Sequence, residues 1–232
     1  MGATRLPGKV LEDLAGQPML YRVINRARRS KTLDDVVVAT TINPADEAIS
    51  KLCEAQDRPF FRGSEDDVLD RYYRTASSYG ADIIVRITSD CPLIEPEIID
   101  KAVDLFKSSK PKADYVTNTL VRTYPRGLDV EVFGYQTLKE AWQSDDNPAW
   151  REHVTPYIYR NPQKFNLYNF TSEQDYSYMR WTVDMPEDLS LVRNIYDHFK
   201  NDTFNWKDVI SVLEKHPEWL ELNRQIQQKP VL

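Results

Sequence analysis

The sequence predicts an α/β fold of the doubly wound kind, and three observations carry that prediction. Short β-branched runs such as VVVATT (36–41) and ADIIVRITSD (81–90) alternate with longer segments whose apolar residues recur at helical spacing. VVVATT is unbroken by charge, as strands covered on both faces are. Their carboxyl ends carry Thr40-Thr41, Arg62-Gly63 and Ser89-Asp90, polar groups at the edge where such sheets bind ligands.

Taken in order, PMLYRVINRARRS places Met19, Leu20, Val23, Ile24 and Ala27 on one helical stripe behind Pro18. VVVATT is the first strand, and NPADEAISKLCEAQ is a helix capped near Asn43, with Ala48, Ile49, Leu52 and Cys53 inward. PFFRG is a second strand. SEDDVLDRYYRTASSYG is a helix with Ser64 as N-cap and Gly80 as stop. ADIIVRITSDCPLI is the third strand, followed by a helix over EPEIIDKAVDLFKSS.

After about residue 111 the rhythm changes. ADYVTNTLVRTYPRGLDVEVFGYQTLKEAW reads as strand, loop, strand and helix, while EHVTPYIYRNPQKFNLYNFTSEQDYSYMRWTVD alternates as antiparallel or edge strands do. PEDLSLVRNIYDHF is again a helix, and the tail is a further helix or pair. With no repeat and no Gly/Ser linker, residues 1–232 read as a single domain with an inserted lobe near 111–178.

Composition narrows the function. Hydrophobic residues make up 41% and charged ones 28% of 232, ordinary for a globular protein. No apolar run approaches the ~20 residues that cross a bilayer and no signal peptide precedes Gly2, so the expected address is cytoplasmic. A net charge of −6 argues against broad nucleic-acid binding but not against a small anion held by a local cluster such as Arg5 and Lys9. Cys53 and Cys91 form no metal-type pair, and His153, His198 and His216 are scattered. Any bound metal would therefore have oxygen ligands, which points to Mg2+ or Mn2+.

Several stretches could carry chemistry. The opening loop, GATRLPGK, sets Gly2, Ala3, Thr4, Arg5 and Lys9 in a turn able to present N–H groups and cations to a phosphate. It lacks the spacing of a Walker A loop, and a solvated surface turn is the plain alternative. Asp90, at a strand's carboxyl end, is either a divalent-cation ligand or a turn cap. Asp184, before Pro186, reads as the end of a short strand and again as either a cap or a second metal carboxylate. Glu187 and Asp188 suit the positive end of the next helix. In the lobe, PRGLDVEVF places Asp129 and Glu131 on one strand face near Arg126, and REHVTPYIYR supplies Arg151, Glu152 and His153. These could recognise a hydroxylated or anionic acceptor, or merely keep an edge strand soluble.

Together these stretches resemble the sugar-activating nucleotidyltransferases, in particular the cytidylyltransferase family. GATRLPGK is similar to that family's N-terminal signature loop, and VVVATT, FRGSEDDVLDRYY, VRITSDCPLI and TVDMPEDL follow in the family's order over roughly residues 2–200. The nearest branch by resemblance is the spore-coat-polysaccharide type, related to acylneuraminate and KDO cytidylyltransferases. The resemblance implies a Rossmann-like nucleotidyltransferase fold with a mixed, mostly parallel sheet. It implies that CTP and a sugar or sugar-acid acceptor give a CMP-linked product and pyrophosphate, for surface polysaccharide. Arg5 and Lys9 would hold the triphosphate, with Asp90 a catalytic residue that binds Mg2+ together with Asp184. Gly2, Ala3, Thr4, Thr40, Thr41, Arg62, Arg86 and Ser89 would serve the nucleotide, and Arg126, Asp129, Glu131 and His153 the acceptor. A homodimer is expected, as is a first apolar strand upstream of residue 1. The neighbouring possibilities are a guanylyl- or uridylyl-transferase acting on a sugar 1-phosphate, and a non-catalytic nucleotide-binding protein.

Overall fold

The computed structural model describes residue 2 and residues 5–228. The opening loop turns at Gly8, whose φ of 74° lies in the left-handed region, and enters a 3-10 turn, Lys9–Leu11, anchored by buried Val10. Strands β1 (Asp13–Leu14) and β2 (Gln17–Pro18) form a short antiparallel ribbon. Helix α1 (Met19–Ala27) starts directly after Pro18 and buries Leu20, Val23, Ile24 and Ala27. Each of its large aliphatic side chains contributes roughly 1.5–3 kcal/mol through burial.

Strand β3 (Val38–Thr41) runs parallel to β4 (Phe60–Gly63), and α2 (Glu47–Ala55) forms the crossover between them. The Asn43 side chain accepts from the Ala45 N–H at 2.9 Å and so caps the entry, as its position predicts. Helix α3 (Val68–Ser78) is capped by Asp67, which accepts from the Asp70 N–H at 2.8 Å. Ser64, the expected cap, instead accepts from the Asp67 N–H and shapes the preceding turn. Gly80, at φ 61°, follows the end of α3.

Strand β5 (Ile83–Arg86) leads through α4 (Pro96–Ser108) to β6 (Tyr115–Thr117), then β7 (Glu131–Gly134) and, later, β8 (Leu167–Asn169). These form a sheet ordered β5-β7-β6-β8. β6 and β8 are parallel, whereas β7 runs antiparallel to both β5 and β6, so this sheet is mixed. The reversal brings the start of β7 to the same edge as the carboxyl ends of β5 and β6: Glu131 lies opposite both Arg86 and Thr117.

The aromatic-rich segment differs from its sequence pattern. After α5 (Tyr135–Ser144) come two short helices: α6 (Pro148–His153), which agrees with a helix-like start at 151–153, and α7 (Pro156–Tyr159), where the alternation predicts strands. Pro148 and Pro156 occupy first-turn positions, and Asn147 caps α6 through the Ala149 N–H. The apparent alternation reflects packing against a second core, in which Tyr115, Phe133, Val154, Ile158 and Phe165 meet Leu69 of α3. Thr182–Asp184 also form no strand: Arg126 and Arg180 make one parallel bridge, and the Val183 N–H donates to the Asp90 carbonyl at 2.8 Å. Helices α8 (Pro186–Phe199), α9 (Trp206–Lys215) and α10 (Pro217–Leu220) complete the fold, α8 and α9 burying apolar faces in the main core that contains α1 and α4. No described helix is long and apolar enough to cross a membrane.

Candidate active site

Asp90 and Asp184 are far apart in sequence but are brought together by backbone pairing. The Asp90 carbonyl accepts from the Val183 N–H and, at 3.3 Å, from the Thr182 hydroxyl. The two carboxylates converge on one cation. The Lys9 ammonium donates to Asp90 Oδ2 at 2.8 Å, to Asp184 Oδ1 at 2.9 Å and to the Val183 carbonyl at 2.7 Å, which uses all three of its protons. Burial weighs against the charged form of Lys9, but the two carboxylates outweigh it and raise its pKa above the ordinary 10.5.

Asp184 has a second set of partners on its other oxygen. Arg5 lies 2.9 Å from Oδ2 and Arg180 Nη2 lies 2.8 Å from it. Burial would raise the Asp184 carboxyl, yet Lys9, Arg180 and Arg5 together hold it below its ordinary value. The opening loop thus reaches the site as its composition predicts, but its lysine rests on the carboxylates, with no donor left over for a phosphate.

Beneath this cluster sits Asp188, fully buried at the first turn of α8. It accepts from Arg180 Nε at 2.9 Å, from the Asp184 and Met185 N–H groups at 2.9 and 3.0 Å, and from Asn223 Nδ2 at 2.8 Å. Asn223 also donates to the Arg180 carbonyl, and Arg180 Nη1 donates to Gln228 Oε1 at 2.6 Å. Sequence reading assigns Asp188 to the helix dipole, which accounts for its N–H bonds but not for its pairing with Arg180. Arg180 and Arg122 carried no motif and escaped it altogether.

Arg122 grips Asp129 with both terminal nitrogens, at 2.5 and 2.8 Å. Between them the chain passes through Gly127 at φ 107°, where a Cβ would lie 2.6 Å from the Thr182 nitrogen. That contact lays the 126–129 segment directly on the strand-like stretch leading to Asp184. Arg126 is half-buried, and its side chain makes no hydrogen bond or ion pair among the described residues. Burial first, then its cationic neighbours Arg122 and Arg180, lower its pKa.

Other expected site residues fall into two further groups. An open groove of about 710 Å3 is lined by Asn43, Phe61, Arg62, Gly63 and Glu65 among others. Arg62 spans its wall, donating to the Thr41 and Asn43 carbonyls and pairing with Glu47 at 2.7 Å. Gly2 approaches this groove, since a Cβ there would lie 3.2 Å from Glu65 Oε1. Thr40 and Thr41 do not line it: both are buried with their hydroxyls toward Asp46, at 3.5 and 2.6 Å, so they build the turn rather than face a ligand. Ser89 is exposed on the turn before Asp90, and Ala3 and Thr4 lie outside the described residues.

Arg86 and Glu131 face each other across β5 and β7 as an ion pair in the interior, not as open ligand-binding groups. Glu131 also accepts from the Tyr115 hydroxyl at 2.5 Å and the Thr155 hydroxyl at 2.6 Å, so both of its oxygens are engaged within the protein. Burial opposes the Arg86 charge, but Glu131 overrides it and raises its pKa. Half-buried His153 ends α6 near this pair; burial lowers its pKa and favours the neutral ring. Its neighbour Val154 is fully buried at φ 71°, a strained position for a β-branched residue.

Among the described residues no group of three or more His, Cys, Asp or Glu side chains is arranged to hold a metal. Asp90 and Asp184 nevertheless fit a magnesium-type ion, because their oxygens converge on one cation and this metal is held by one or two carboxylates plus substrate phosphates.

The architecture is that of a nucleotidyltransferase. A cytidylyltransferase from Leptospira borgpetersenii superposes with a TM-score of 0.92 at 35% identity, covering 98% of this chain and 95% of its own. A CMP-2-keto-3-deoxy-manno-octonic acid synthetase solved with CTP superposes at 0.65 with 20% identity, covering 85% and 95%, a likeness of fold. The cytidylyltransferase family profile matches residues 1–231, and the chain belongs to that family. It is 38% identical to an uncharacterized protein of Methanocaldococcus jannaschii over 98% of this chain and 93% of the relative. It is 28% identical to the spore coat polysaccharide biosynthesis protein SpsF of Bacillus subtilis, over 94% and 92%.

Proposed function

We propose that this protein transfers CMP from CTP to a sugar or sugar-acid acceptor, with release of pyrophosphate, for surface polysaccharide synthesis in the cytoplasm. The observation that carries this reading is the meeting of Lys9 and Arg5 from the opening loop with Asp90 and Asp184. An acceptor oxygen attacks the α-phosphorus in line; the new O–P bond forms as the bond to the β-phosphate oxygen breaks and pyrophosphate leaves with the electron pair. The hydroxyl proton is released to solvent. Arg5 and Lys9 neutralise charge that grows on the leaving group. Asp90 and Asp184 would hold Mg2+, which supplies charge neutralisation and orientation of the phosphates. Arg62 stands on the base and ribose side.

On the acceptor side Arg126 is the cation open to an anionic substituent, while Asp129 is held by Arg122. Glu131 and His153 act from behind, by fixing the floor of the lobe. We assign residues 111–178 to an acceptor-binding and dimerising lobe in a homodimer. The test is pyrophosphate release with each of four nucleoside triphosphates and a panel of neutral, carboxylated and phosphorylated sugars. The expected result is turnover with CTP and loss of at least ~100-fold in Asp90→Asn with unchanged circular dichroism. Preference for GTP or UTP, or full activity in Asp90→Asn, would refute it.

A further inference from the structure

The position that a divalent cation would take between Asp90 and Asp184 already holds a cation. All three Lys9 protons are committed there, and Asp184's second oxygen is shared by Arg5 and Arg180. With Asp188 beneath Arg180, three cations face three carboxylates, so the cluster is neutral before any ligand arrives. A free divalent ion entering this cluster would add two positive charges to a balanced site and would have to break the Lys9 contacts without a replacement for them. A triphosphate changes both conditions. It carries the negative charge that the metal needs, and it offers Lys9 new acceptors in place of the two carboxylates.

We propose that Lys9 is a built-in counter-ion of the carboxylate pair, that it excludes free divalent metal from the empty enzyme, and that metal enters only with the nucleoside triphosphate that draws Lys9 away. The inference rests on the metal reading proposed above and adds an order of binding to it. It gives Lys9 two successive partners: the carboxylates in the empty enzyme and the polyphosphate in the loaded one. The reach is short, because Lys9 is fixed by a turn anchored at Val10 and only its side chain has to move.

Mn2+ is the probe, followed by the loss of its free electron-paramagnetic signal, with acceptor omitted so that nothing turns over. Without CTP, the wild type should leave Mn2+ free, and Lys9→Met should bind it at least ten-fold more tightly. With CTP, the wild type should bind Mn2+ beyond what CTP alone sequesters, and Asp90→Asn should lose that excess. Equal Mn2+ affinity of wild type and Lys9→Met without CTP would overturn the counter-ion role while leaving the metal site standing. Absence of any CTP-dependent excess in the wild type would overturn the metal site and this inference with it. A readout independent of the variant's folding is the side-chain ammonium resonance of Lys9 in the wild type. CTP without metal should shift it and Mg2+ alone should not; a shift with Mg2+ alone would refute the proposed order.

Discussion

Replacing Asp188 by Asn tests whether the site is held from below. The substitution removes one negative charge from a fully buried position and turns an amide toward donors that now meet carboxylate oxygens. Arg180, itself nearly buried, would be left with Asp184 as its one anionic partner among the described residues. Breaking a buried ion pair from one side costs about 3–5 kcal/mol, a large part of the 5–15 kcal/mol by which a folded domain is stable. With a urea slope of ~2–3 kcal/mol per molar, the unfolding midpoint should fall by roughly 1–2.5 M. Turnover should fall as well, because one oxygen is left to serve Arg180, Asn223 and the Asp184 and Met185 N–H groups that fix the carboxylate's backbone. Asp184→Asn separates the two effects: it should abolish transfer at a smaller cost in stability. An Asp188→Asn midpoint within ~0.3 M of wild type would show that the buried anion does not organise the cluster.

Two other outcomes follow from the same geometry. Gly127→Ala should destabilise by about 2–4 kcal/mol, since its Cβ would press on the Thr182 and Trp181 backbone from a left-handed φ; a melting temperature within ~1 °C of wild type would refute this. The stability lent by Asp184, whose folded pKa lies below 3.8, is fully present above that value and is lost as pH falls through the folded pKa. The part lent by Lys9 is present below 10.5 and lost as pH rises through its higher folded value. The stability difference between wild type and Asp184→Asn should therefore be flat from roughly pH 5 to 9 and shrink in acid; a change centred near pH 7 would contradict the assignment.

Much of the fold was legible because local signals agreed with tertiary demands. The Pro18 start of α1, the Asn43 cap and the Pro186 start of α8 all appear where the sequence places them. Misreading fell at 156–159, where period-2 aromatics line a helical core, at Ser64, which shapes the turn before the Asp67 cap, and at 182–184, which forms no strand. Lys9, Arg5, Asp90 and Asp184, which the sequence marks out by their charge in loop and turn segments, do meet in the structure. Arg180 and Asp188 could not be paired, since their partnership arises from chain reversal at 184–186 and has no periodic spacing. Arg86 and Glu131 lie at the expected sheet edge and pair with each other there, a partnership across β5 and β7 that no local spacing announces.

The amides of Asn223 and Gln228 lie beyond the last described helix, yet they brace Arg180 and Asp188 beneath the candidate site. A chain shortened to Leu220 would keep every described helix and strand and still lose both props beneath Arg180. Anyone trimming this protein for expression should leave the tail through residue 228 intact and attach fusions beyond it, because the carboxy-terminal segment is part of the enzyme's foundation rather than its fringe.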